Sequence, residues 1–122
     1  MRRITLLMTV ATLVVVSTLF VVSASGAPKH PTAQAQNKPT KTVVIQNFRF
    51  KPARITIERG TKVRWINKDA TAHTATADNG RSFDSGLLRK GQGYTHTFKS
   101  AGRKSYHCEP HPHMRGIVIV KR

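Results

Sequence analysis

From residue 41 onward the chain alternates with a period of two. Arg54-Ile55-Thr56-Ile57-Glu58 alternates polar and apolar residues without a break, as do Lys62-Val63-Arg64-Trp65 and Tyr94-Thr95-His96-Thr97-Phe98. Side chains two apart share one face of a strand, so each run predicts a strand with one buried side. Val43-Val44-Ile45 and Ser105-Tyr106-His107-Cys108 add two short strands. Residues 117–120, apolar throughout, predict a strand buried on both faces. Glycines stand between the runs, at Gly60, Gly91, Gly93 and Gly102. No window of ten residues in this part shows the period of a helix, and no internal repeat is present. Many short strands with such punctuation predict an all-β sandwich or barrel.

The first forty residues are of another kind. Arg2 and Arg3 precede an uncharged, mostly apolar run over 4–22, and Ser23-Ala24-Ser25-Gly26-Ala27 follows it. Charge, apolar run and small residues are the order of a secretory signal, assigned to 1–27. The run is also nearly the ~20 residues that span a bilayer, so an uncleaved anchor is the alternative. In either case the Arg pair stays inside and the domain lies outside the cytoplasm, periplasmic or extracellular. Residues 28–40, rich in Pro, Gln, Thr and Ala, predict a flexible linker. The folded domain is placed at 41–122.

A small exported domain usually depends on disulfides, yet Cys108 is the single cysteine. An unpaired thiol in an oxidising compartment calls for something that holds it. Cys108-Glu109-Pro110-His111-Pro112-His113-Met114 sets a thiolate, an imidazole and a thioether within one loop, and His73 lies upstream on the loop after the Trp65 strand. Soft sulfur with imidazole suits copper, and two His and one Cys with a weak axial Met describe an electron-transfer copper site. Spacing favours His111 over His113, because His113 is the immediate neighbour of Met114 and adjacent side chains diverge. His113 is then a solvated rim residue. His107 points away from the Cys108 side of its strand. His96 reads as a strand-surface residue and His30 as part of the linker. Trp65, Phe48, Phe50, Phe83 and Phe98 read as core.

These residues carry a family resemblance. Phe48-Arg49-Phe50-Lys51-Pro52, the run from Gly60 through Trp65 to Asn67, His73-Thr74, Phe83-Asp84-Ser85-Gly86, Tyr106-His107-Cys108 and the loop through Gly116 resemble the plastocyanin/azurin cupredoxins. The C-x2-H-x2-M loop has the length found in the amicyanin branch. The resemblance implies a Greek-key β-sandwich with one copper ion at a loop-lined end. It makes His73, Cys108 and His111 strong equatorial ligands and Met114 the long axial one. It also implies single-electron transfer between redox partners rather than enzymatic catalysis. Thr74 departs from the pattern, which commonly has Asn there to tie the two ligand loops together. A threonine hydroxyl replaces part of that bonding.

Charge constrains the partners. Against five acids stand 21 Lys and Arg, for a net charge of +16. Loss of Arg2 and Arg3 on cleavage would still leave nineteen. Such a field attracts acidic surfaces, here expected to be those of redox proteins that meet a monomer. Nucleic acid is not expected, since the chain has an export signal and no recognition motif. An extracytoplasmic copper carrier or buffer would use the same ligands, and copper exchange rate separates it from an electron shuttle. A structural zinc module is separated by its lack of visible absorption.

Overall fold

The computed structural model describes Gly26 and residues 38–122. Apart from Gly26, the expected signal or anchor segment and residues 28–37 of the expected linker, His30 included, lie outside the described residues. Eight strands follow in order: β1 (Lys41–Ile45), β2 (Phe50–Lys51), β3 (Arg54–Glu58), β4 (Lys62–Asn67), β5 (Thr76–Ala77), β6 (Gly93–Thr97), β7 (Gly102–His107) and β8 (Arg115–Lys121). No helix occurs among the described residues. Lys38, near the end of the expected linker, is half-buried and its ammonium donates to the Arg59 carbonyl, so this residue packs on the strands that follow.

The strands form two four-stranded sheets, in the orders β2-β1-β4-β6 and β3-β8-β7-β5. Both are mixed. β1 runs parallel to β4, with Val43 beside Trp65, and β3 runs parallel to β8, with Ile57 beside Val120. The remaining pairs are antiparallel. This is the all-β sandwich expected of the alternating runs. Val43, Ile45, Val63 and Trp65 bury one face of the first sheet, and Ile57, Tyr106, Val118 and Val120 bury one face of the second. Trp65 is fully buried and stacks on Phe83 at 5.3 Å between centroids. Edge-to-face, Tyr106 meets it at 5.4 Å.

Three readings need correction. Val118 and Val120 are buried, but Ile117 and Ile119 are only partly so, and β8 has one core face instead of two. An apolar run reads alike whether its second face is covered or half-open. His96 opposes Val63 across the β4–β6 ladder, and directly opposed residues share a face. It therefore points inward, half-buried against Phe83 and Phe98 at 5.1 and 4.8 Å, and burial lowers its pKa. Phe48 is 42% exposed and not core. β2 and β5, each two residues long, are too short to show a period.

Candidate metal centre

Three connections meet at one end of the sandwich: those after β1, β4 and β7. Asn67 shapes the second. Fully buried at the end of β4, its side-chain amide donates to the carbonyls of Thr71 (2.8 Å) and Leu88 (2.7 Å), and its oxygen accepts the Asp69 amide (2.9 Å). The loop is thereby wrapped around one side chain. Reciprocal backbone bonds to Leu88, at 3.1 and 2.7 Å, then hold His73, which is fully buried.

The connection after β7 is tied by its own backbone. His111 N–H donates to the Cys108 carbonyl (3.2 Å), Met114 N–H to the His111 carbonyl (2.8 Å), and Cys108 N–H to the Met114 carbonyl (3.1 Å). Two successive tight turns thus close Cys108 onto Met114. Cys108 and Met114 are buried, His111 is half-buried, and Pro110, Pro112 and His113 are exposed. His113 lies on the rim as expected, its ring 6.2 Å from that of His111. His107 faces the other way and bonds Asp78 at 2.6 Å, with Arg115 at 3.5 Å from the same carboxylate.

His73, Cys108 and His111 come together in a triangle. The two Nδ1 atoms are 3.2 Å apart, and Cys108 Sγ lies 3.6 Å from that of His73 and 3.5 Å from that of His111. With these sides, the point equidistant from all three atoms is about 2 Å from each, the length of a metal–nitrogen bond. The donors therefore fit one metal ion. One thiolate with two imidazoles, closed off from water on the His73 and Cys108 sides, favours copper over the oxygen-seeking cations.

Around the triangle, the Thr74 amide donates to Cys108 Sγ at 3.3 Å. Thr74 Oγ1 accepts the Glu109 amide at 2.8 Å. The Thr74 and Thr76 hydroxyls are 3.0 Å apart, and Thr76 Oγ1 is also 3.0 Å from Asp84 Oδ1. An ionised carboxylate only accepts, so the Thr76 proton points to Asp84 and Thr74 donates to Thr76. The threonine thus does tie the two ligand loops together. Phe48 sets its ring edge-on to both imidazoles, 4.9 Å from His73 and 5.0 Å from His111.

One site residue escaped the sequence reading altogether. Asp69 Oδ2 lies 2.9 Å from His73 Nε2. Desolvation pushes its pKa up, but the amides of Phe48 and Asn47 and the neighbouring His73 outweigh this and hold it below the usual carboxylate value. An acid four residues before a candidate ligand was the signal available.

A buried thiolate and two imidazoles on loops at one end of a two-sheet sandwich define a mononuclear copper protein of the cupredoxin class. Comparison with known proteins agrees. Amicyanin from Paracoccus versutus is 32% identical over 117 residues, covering 84% of this chain and 89% of the relative. A solved amicyanin variant in its reduced Cu(I) form superposes with a TM-score of 0.63 at 32% identity, covering 69% of this chain and 84% of that one. A copper-containing nitrite reductase from Thermus scotoductus SA-01 superposes with a TM-score of 0.64 at 28% identity, but only 23% of it is covered. Residues 38–121 match the model of the copper binding proteins of the plastocyanin/azurin family, and the chain belongs to that family.

Proposed function

We propose that this chain is a type 1 copper electron carrier working outside the cytoplasm, with His73, Cys108 and His111 as equatorial ligands and Met114 as the axial one. The three-atom triangle carries the assignment. Bound copper would supply one-electron chemistry between Cu(II) and Cu(I), which thiolate, imidazole and thioether ligands suit in both states. The protein's part is to hold the donors still. Asn67 fixes the loop of His73, the two turns after Cys108 fix His111 and Met114, and Thr74 joins one loop to the other. Pro110 has no amide, so the sulfur takes its backbone hydrogen bond from Thr74. Half-buried His111 is the ligand nearest solvent and the port through which electrons pass.

Full burial of His73 and Cys108 supports a shuttle over a carrier that must release its ion. The partners proposed are redox proteins with acidic docking surfaces, met by a monomer whose charge is strongly positive. Optical and EPR spectra of the copper-loaded protein test the site. An intense thiolate-to-Cu(II) band is expected, and Cys108→Ser should abolish it. A serine variant equally blue would refute the ligand set.

A further inference from the structure

Asp69 stands outside the ligand set, yet its carboxylate reaches both the site and the turn above it. The side chain is 12% exposed. Its Oδ1 accepts the Asn47 amide at 2.7 Å, and its Oδ2 accepts the Phe48 amide and His73 Nε2, each at 2.9 Å. Asn47 and Phe48 both have φ of 55°, and Gln46 and Arg49 exchange backbone bonds across them. That is the two-residue turn with both central residues left-handed, which favours Asn-Gly. Phenylalanine there costs backbone strain, because its Cβ crowds the following carbonyl oxygen. Two charge-assisted bonds from one carboxylate oppose that cost.

On the site side, His73 turns Nδ1 toward Cys108 and His111, and a metal takes a bare ring nitrogen. Nε2 must then carry the proton, and Asp69 is its acceptor. Among the described residues no carboxylate bonds the His111 ring. The two imidazoles are therefore unequal.

We propose that Asp69 is a positioning residue of the copper centre. It locks His73 in the Nε2–H form and makes that ring the stronger donor of the two, which favours Cu(II) over Cu(I). The same carboxylate holds the strained turn that lays Phe48 against both imidazoles, so the ligand and its apolar cover share one anchor. This rests on the copper reading above, which the colour of the wild-type protein tests separately.

Asp69→Asn keeps the shape and an amide oxygen but removes the charge. Outer-sphere partners of this kind are worth about 10–100-fold in metal affinity. The Cu(II)-to-Cu(I) affinity ratio should fall about tenfold in the variant, read by voltammetry as a potential about 59 mV more positive. The blue band should persist. A blue variant with an unchanged or lower potential would overturn the inference and leave Asp69 as a turn cap only. A wild-type protein without colour would instead defeat the copper reading. Should the variant fail to fold, NMR of the wild-type Cu(I) protein decides. A downfield, slowly exchanging His73 Nε2–H supports the bond, and one at an ordinary shift overturns it.

Discussion

Replacing Gly116 with alanine probes how tightly the strand leaving the copper loop is packed. Gly116 opposes Tyr106 across the β7–β8 ladder. A Cβ built on it would lie 2.2 Å from Tyr106 Cζ and 2.3 Å from the phenol oxygen. Carbon contacts settle near ~3.5 Å, so the ring or the strand must yield by roughly 1.3 Å. The ring has little room to do so. Tyr106 is 1% exposed and hemmed by Phe50 at 4.7 Å, Trp65 at 5.4 Å and Phe83 at 6.0 Å between centroids. Gly116 has no left-handed φ, so alanine adds no backbone strain and the effect is purely steric. Overpacking of this kind costs about 1–3 kcal/mol. At roughly 4–8 °C per kcal/mol for a domain this size, calorimetry of the copper-free protein should show Tm fall by about 5–20 °C. In a Tyr106→Leu background the same substitution should cost much less, since the clash is removed. A fall below about 2 °C in the wild-type background would refute the steric account.

His113→Ala should leave copper stoichiometry and colour intact, whereas His111→Ala should lose the native spectrum. The reverse result would move the ligand to the exposed histidine. Met114→Gln should keep copper bound and lower the reduction potential, because a harder oxygen donor favours Cu(II), and an unchanged potential would leave Met114 as core filling. His96 has its folded pKa lowered by burial, so the unfolded chain takes its proton first. Its stabilising contribution is present above the unfolded value of about 6.5 and shrinks as pH falls below it. Denaturation of copper-free protein from pH 8 to 5 should therefore show a smaller acid loss in His96→Gln, and equal losses would dismiss the effect. Stopped-flow electron exchange should be faster with an acidic redox protein than with a basic one at low salt, converging as the Debye length shrinks to ~8 Å. Flat and equal rates would remove charge from docking.

Much of this molecule was legible in its residues because the relevant signals are local. Alternation over 54–58 and 62–65 marks β3 and β4 directly, and the loop from Cys108 to Met114 holds three donor types within a few residues. What escaped depends on contacts between distant segments. Phe48 looks like core by composition, but its backbone turns it out over His73 and His111. Asp69 looks like one of five scattered acids until the β1–β2 turn is brought down upon it. The unbroken apolar run of β8 does not say that Ile117 and Ile119 are left half-covered, because that depends on what lies over the sheet. His96 reads as a surface residue by its polarity, while its register opposite Val63 sends it inward.

The parallel pairing of β3 with β8 also bears on how the chain matures. Arg54 waits for Ile117, and Glu58 for Lys121, so the second sheet lacks a central strand until the last of the domain is available. Pairings so distant along the chain fold slowly, because loop entropy must be surrendered before contacts compensate it. A chain that has not yet paired β8 therefore leaves this sheet open. Cys108 and His111 sit just before that strand. Their meeting with His73 is therefore expected late in folding, so the three donors converge only once the second sheet has closed.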